Sequence, residues 1–345
     1  MSEVLENQRN INVIVPVFNV EEYLGKCIES LINQTYHDYY ITLIDDCSTD
    51  GSGSICDLYE NRYPAKVRVV HKDTNQGLSE ARNSGVFSSK SPWIVFVDSD
   101  DYVSKDFLQN LYNAQNKYQC DMVVAPICKE YIDQKGIRTR QEDSCFSPIV
   151  YNRDQALIEL CYEKRFGSYA VSKLIKKEML LNHMFPKGKL FEDSYTVYKL
   201  FFECETIVCI QNPGYYYLQR IGSIQRSPFT KKHYDLIFAC DSMMDFFLSK
   251  CLSNDIMAAG SYKLIKSCNV TCIHAIDSGN IDEAYSLCKK YINKYRKYRL
   301  KTHKMSAKEY VCYSALMASK RIYLAFFQIN KMIKNIRLKP AKNLL

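Results

Sequence analysis

The stretch WIVFVDSDDY, residues 93–102, runs four apolar residues, Ile94 to Val97, straight into Asp98, Ser99, Asp100 and Asp101. Three carboxylates within four residues repel one another. A bound divalent cation would offset that repulsion. A solvated acidic turn capping a helix that starts near Ser104 would also accommodate it. The apolar run itself reads as a buried strand, and the residues around it decide between the two readings.

Working outward, the first 125 residues alternate between two periodicities. Short Ile- and Val-rich runs at 11–17, 40–45, 66–72, 93–97 and 121–126 read as strands. Between them, helical spacing predicts helices over 20–34, 77–89 and 104–118, and a loop leading into a helix over 48–63. Strands apolar on both faces, alternating with amphipathic helices, specify an α/β domain with a mainly parallel sheet flanked by helices. Right-handed crossovers bring the strand C-termini to one edge, where ligands bind in such folds. Three polar clusters then share that rim: Pro16-Val17-Phe18-Asn19, Asp45-Asp46-Cys47-Ser48, and Asp98-Ser99-Asp100-Asp101. A chance set of turns would scatter its acids over both edges, so the rim favours a metal-and-ligand site.

The alternation stops at about 127, and residues 127–150 read as a polar loop or connector. A helix over 152–163 follows. Residues 185–204 read as a loop and a helix beginning near Phe191, and 206–210 and 214–220 as two strands around a turn at Asn212-Pro213. Beyond 230 the pattern is helical throughout, over 230–250, 254–278, 280–297 and 306–336. The expected organisation is a domain over 1–228, with a ligand half at 11–126 and a second half at 127–228, then a mainly α-helical region over 229–345.

Composition sets outer bounds. At 47% apolar residues the chain is globular. Fifteen cysteines without a C-x-x-C pair argue against a disulfide framework and a zinc site, and for reduced, buried thiols. The polar start MSEVLENQRN carries no secretory signal, and no apolar run is long enough to span a bilayer. These features lead to a cytoplasmic expectation. Charge is uneven: residues 280–345 hold sixteen Lys/Arg against three Asp/Glu, a net of +13, leaving −5 on residues 1–279. The basic tail suits an anionic partner or a solvated helical face. It could dock the inner face of the cell membrane as a peripheral contact, pack on the first domain, or meet a second subunit.

Taken in order, INVIVPVFNVEEYLGKCIESLINQTY, LIDDCSTDGS, NQGLSEARNSG and FVDSDDY closely resemble the N-terminal half of the family 2 glycosyltransferases, which have the GT-A fold. The resemblance is strong over about 11–126 and continues more weakly to about 226 through FEDSYTVYKLF and YYYLQRIGSIQRS. It is closest to bacterial enzymes that build capsule, O-antigen or exopolysaccharide chains.

The resemblance implies an inverting transfer from a nucleotide-sugar donor, a UDP-sugar, to a glycan or lipid-linked glycan, with Mn2+ or Mg2+. The cation would stabilise the charge of the departing diphosphate. Asp98-Ser99-Asp100 matches the family's DXD motif. One Asp would contact the ribose or a metal-bound water, and Asp98, Asp100 and Asp101 all stand as metal candidates. Asp46, rather than Asp45, corresponds to the acid that accepts the uracil N3–H. Pro16, Val17 and Asn19 would pass the base and ribose. Arg82 would place a cation near the diphosphate, or form a helix-surface ion pair with Glu80. Arg220, Ser223 and Arg226 resemble a segment that closes over the diphosphate. Of the pair Glu192-Asp193, Asp193 corresponds to the base that deprotonates the acceptor, although two acids in a helix's first turn also suit its dipole. Trp93 and the run Tyr215 to Tyr217 read as packing.

Two rival readings remain. A haloacid-dehalogenase-like phosphohydrolase also places D-x-D after an apolar strand, but there it belongs to the first strand, and here three precede it. A non-catalytic sugar-nucleotide-binding protein would keep the fold and lose turnover. No nucleic-acid-binding motif is present, so no nucleic acid is expected as a partner.

Overall fold

A computed structural model of the chain describes residues 9–133, 136–140, 147–212, 214–219, 228–298 and 305–338. It divides into two compact units, Met1–Ser227 and Pro228–Leu345.

In the first unit the chain runs β1 (Ile11–Val17), α1 (Glu21–Ile32), β2 (Tyr39–Asp45), α2 (Ser52–Arg62), β3 (Val67–His71), α3 (Leu78–Ser88) and β4 (Trp93–Phe96). It continues through β5 (Tyr102–Val103), α4 (Phe107–Tyr118), β6 (Met122–Val124), β7 (Ile127–Asp133), β8 (Gly136–Arg140) and β9 (Ile149–Asn152). The remainder is α5 (Arg153–Tyr162), β10 (Lys173–Lys176), α6 (Lys177–Asn182), α7 (Glu192–Glu203), β11 (Thr206–Cys209) and β12 (Tyr215–Gln219). An eight-stranded sheet has the order β3-β2-β1-β4-β10-β6-β11-β9. Its first four strands are parallel. Every residue of β1 and β2 is buried, as strands covered by helices on both faces must be. Helix α1 buries Leu24, Cys27, Ile28 and Leu31, at i, i+3, i+4 and i+7. Each of the three aliphatic side chains contributes about 1.5–3 kcal/mol.

The order places β1 at the switch point, with β2 and β3 on one side and β4 on the other. Its pairing with β4 runs from Ile11 to Ile14 and closes with Val97 N–H on the Ile14 carbonyl at 3.1 Å. Residue 16 is the next position whose N–H would point toward β4, and it is Pro16, which has none. On the other side β1 stays paired to β2 as far as Val17↔Asp45. The two strands therefore part at Pro16, and beyond Val97 the chain continues into the DSDD segment.

The structure corrects the sequence reading in three places within this unit. Residues 127–150, read as a loop, supply β7, β8 and β9. β12 does not form a hairpin with β11 but lies in a separate sheet of order β5-β12-β7-β8. Residues 173–176, unassigned in the sequence, form β10, the antiparallel strand that joins β4 to β6.

The second unit is helical: a 3₁₀ turn (Lys231–Tyr234), α8 (Asp235–Ser249), α9 (Asn254–Asp277), α10 (Ile281–Lys294), a 3₁₀ turn (Arg296–Tyr298), α11 (Ala307–Ala318) and α12 (Lys320–Leu338). The helix expected over 306–336 breaks at Ser319, whose Oγ accepts from Ile322 N–H at 3.2 Å and so starts α12. Cys240, Cys268, Cys272 and Cys288 are buried free thiols here. Among the described residues no helix is long and apolar enough to cross a membrane.

Gly85 lets α3 approach β1 closely: a Cβ there would sit 2.4 Å from Ile14 Cγ2. Gly85→Ala is therefore expected to cost about 1–3 kcal/mol through overpacking. Adding Ile14→Ala, which removes the Cγ2 that the new methyl would meet, should cost less than the sum of the two single losses in urea denaturation, whereas two additive losses would show that the two groups do not meet.

Candidate active site

Of the seven described non-glycine residues with positive φ, three mark the rim: Asn19 (51°), Cys47 (64°) and Phe191 (58°). Such conformations persist only where surrounding bonds enforce them. Asn19 Oδ1 accepts Thr49 N–H at 2.9 Å, and Asn19 N–H donates to Ser48 Oγ at 3.2 Å. Val20 N–H donates to Ser52 Oγ at 2.9 Å. These bonds tie the turn after β1 to the turn after β2. Val17 is buried, while Phe18 and Asn19 are exposed on the rim.

The two acids ending β2 are both engaged. Asp45 accepts Ser48 N–H at 3.0 Å and pairs with His71 Nδ1 at 2.8 Å, while His71 Nε2 meets Asp57 Oδ1 at 2.9 Å. Those two partners, Asp57 first and then Asp45, raise the His71 pKa. Asp46 is buried and accepts Gly77 N–H at 2.7 Å and Gln76 N–H at 3.1 Å, with Lys72 Nζ 3.3 Å away. Gly77 has a φ of +89°, open to glycine and strained for other residues, and it begins α3. The carboxylate expected to receive a base thus anchors the start of α3.

The DSDD carboxylates separate. Asp101 is turned inward, where it accepts Tyr215 Oη–H at 2.6 Å and Leu218 N–H at 2.9 Å from β12. Burial, then the charges of Asp98 and Asp100, hold its pKa well above the usual carboxylate range. It joins the second sheet to the first, while Asp98 and Asp100 stay nearer the surface. Both of these are half-buried. Tyr215, read as packing, also accepts Asp98 N–H at 3.2 Å, so it fixes the segment from both ends. Trp93 is packed as expected.

Arg82 joins the clusters. Its side chain is 3% exposed, with Nη2 donating to Asp98 Oδ1 at 2.8 Å and Nη1 donating to Glu192 Oε1. The guanidinium lies 5.5 Å from the Phe185 ring centre and 5.9 Å from that of Phe96. Burial opposes its charge, but Asp98, Glu192 and Asp193 more than restore it. The alternative of a helix-surface ion pair with Glu80 is not what forms: Arg82 pairs with two acids from other segments. Nε–H of Arg82 makes no hydrogen bond among the described residues.

Neighbouring side chains of α3 hold the loop that delivers Glu192 and Asp193. Asn83 exchanges two bonds with Phe185, Nδ2–H to the carbonyl at 2.9 Å and Phe185 N–H to Oδ1 at 3.0 Å. Ser79 Oγ donates to the Pro186 carbonyl at 2.7 Å. Asp193 then sits in the first turn of α7, accepting Ser194 N–H at 2.7 Å. Burial pushes its pKa up to about 7. The Glu192 charge adds to that rise, and Arg82 opposes it. A carboxyl group poised near neutrality beside a strand-end acid pair is equipped to take a proton. Arg220, Ser223 and Arg226 lie outside the described residues.

A cation would find a fitting but incomplete donor set here. Among the described residues no group of three or more His, Cys, Asp or Glu side chains could hold a metal ion. Asp98 and Asp100 offer hard oxygens, and a hard cation fills its remaining positions with phosphate and water.

The chain is similar to known proteins over most of its length. The sequence profile described as Glycosyl transferase family 2 matches residues 12–179. Glycosyltransferase GlyG of Streptococcus pneumoniae serotype 4 is 33% identical over 264 residues, covering 72% of this chain and 81% of that protein. The poly(ribitol-phosphate) beta-glucosyltransferase of Bacillus spizizenii is 30% identical over 214 residues, or 60% of this chain, which spans about a third (32%) of that longer protein. The crystal structure of S. aureus TarS 1-349 in complex with UDP-GlcNAc aligns with a TM-score of 0.56 at 17% identity, covering 85% of this chain and 93% of that one. That likeness extends to the fold.

Two measurements follow from the buried charges. Between about pH 4 and 7 the folded chain binds the Asp193 proton that the unfolded chain has released, so stability falls as pH rises, by up to about 1.4 kcal/mol per unit. Asp193→Asn should flatten that slope in urea unfolding series, and an unchanged slope would place the titration elsewhere. Arg82→Gln leaves Glu192 buried without its cation and should cost about 3–5 kcal/mol. A variant as stable as wild type would show that the pairing is not structural.

Proposed function

The chain belongs to glycosyl transferase family 2, and from that premise we propose that it moves a sugar from a UDP-sugar to a glycan or lipid-linked glycan acceptor of a bacterial surface polysaccharide. The observation that carries this reading is the pairing of Arg82 with both Asp98 and Glu192. That pairing brings a strand-end acid and an acid beside Asp193 to one guanidinium. The UDP reading is supported by the fold shared with TarS, whose complex holds UDP-GlcNAc. The acceptor reading is supported by the relative named for poly(ribitol-phosphate).

Asp193 acts as the base. It takes the proton of the acceptor hydroxyl as that oxygen bonds to the anomeric carbon, on the face opposite the departing diphosphate, so the transfer inverts configuration. A pKa raised to about 7 suits this task, because the ionised form is populated at neutral pH and still binds a proton well. Glu192 and Arg82 position this helix terminus. Pro16, Val17 and Asn19, with Asp46 behind them, form the wall for base and ribose. Asp100 would hold the cation, and Asp98 would face the ribose or a water beside it. A divalent cation, Mn2+ or Mg2+, supplies charge neutralisation at the diphosphate when bound. Arg220 and Ser223 are assigned to the diphosphate by their place in the sequence.

The phosphohydrolase alternative asks Asp98 to attack phosphorus, yet its Oδ1 is held by Arg82. Family membership disfavours both that alternative and a non-catalytic binder.

Calorimetric titration of UDP and GDP, in Mn2+ and in EDTA, tests the donor. Tight binding of UDP in Mn2+ alone is expected, and equal binding of GDP, or no loss in EDTA, would overturn the donor or metal assignment. Asp193→Asn should bind UDP normally and lose at least about a hundredfold in kcat, the scale of general-base catalysis. Retained turnover would remove Asp193 from that role.

A further inference from the structure

The second unit carries an outward surface that its own core does not use. α12 turns Tyr323 inward, where its hydroxyl donates to Asn269 Oδ1 of α9 at 2.7 Å. The opposite side of α12 presents Ile322, 53% exposed, and Ile329, 56% exposed, with exposed Ala325 between them. The spacings of three and four residues set these three on one stripe. α11 also leaves apolar residues outside. It buries Tyr313, Ala315 and Leu316 and exposes Tyr310, Val311 and Ala318. A single exposed aliphatic residue needs no explanation, but a stripe on α12 with further exposed apolar residues on α11 does.

Charge decides among the occupants. Residues 280–345 carry a net +13, and Lys308 and Arg321 are exposed beside these stripes. A second copy pairing symmetrically would bring two such positive surfaces face to face. Nucleic acid would neutralise the charge, but it offers nothing for Ile322, Ala325 and Ile329 to enter. An anionic bilayer satisfies both properties at once: acyl chains receive the apolar stripe and phosphate headgroups receive the cations.

We infer that the outward faces of α11 and α12 form a docking surface for an anionic phospholipid bilayer. It binds in the interfacial plane and does not span the membrane, in keeping with the absence of a spanning helix among the described residues. The inference does not depend on the donor reading, because it uses no residue of the first unit.

The test is co-sedimentation of the full chain with vesicles of phosphatidylcholine, with and without phosphatidylglycerol, at low and high NaCl. Binding to the anionic vesicles, reduced by salt, is expected. Ile322→Asp with Ile329→Asp should weaken it at least about tenfold, and Arg321→Glu should weaken it on anionic vesicles. Circular dichroism melting and transfer to a water-soluble acceptor should be unchanged in these variants, because the residues are exposed and outside the first unit. No sedimentation with anionic vesicles, or sedimentation untouched by the paired substitution, would overturn the inference. So would a wild-type dimer in size-exclusion chromatography that the same substitution dissolves, since the stripe would then belong to a second copy.

Discussion

A guanidinium removed from water must be paired, and Arg82 is paired twice. Charge burial without partners costs several kcal/mol per ion, so the fold cannot keep Arg82 inside unless Asp98 and Glu192 both reach it. That requirement links three segments far apart in sequence: the α3 helix, the end of β4 and the start of α7. Asn83 and Ser79 reinforce it from the same helix by holding the backbone at Phe185 and Pro186. Asp193, the neighbour of Glu192, is half-buried, and desolvation first, then the Glu192 charge, raises its affinity for a proton while Arg82 opposes the rise.

The second constraint is the parting of β1 from β4. Pro16 removes a donor on the side where β4 has already turned away, and the sheet keeps its pairing to β2. Asp101, by contrast, is spent on Tyr215 and Leu218, which pins the base of the DSDD turn to the second sheet. Two acids remain at the rim, fewer than a cation needs. A diphosphate would complete the coordination, so binding of cation and donor would be mutually dependent.

Much of this was legible from residue order. The alternation of two-residue and 3.6-residue periods from 11 to 126 specified a parallel sheet, because buried strands and amphipathic helices leave different spacings. The rim acids followed from strand direction. What stayed hidden were pairings across more than a hundred residues, such as Arg82 with Glu192 and Asp101 with Tyr215, which no local pattern records. Tyr215 looked like strand core and is core, but its hydroxyl is also a strut. The ribbon at 127–140 was hidden because its sequence is polar, and the break at Ser319 because serine is tolerated inside helices as well as at their caps. Arg82 was expected near a diphosphate, and what the sequence did not show is that its burial also makes it a joint between Asp98 and Glu192.

Anomalous diffraction from crystals soaked in UDP and MnCl2 would test this arrangement most directly. The expected map has one manganese peak against Asp100 and the diphosphate, with Arg82 still between Asp98 and Glu192 and with Asp101 on Tyr215. A peak ligated by Asp101 or Asp193, or an Arg82 released from Glu192 to the phosphates, would contradict it.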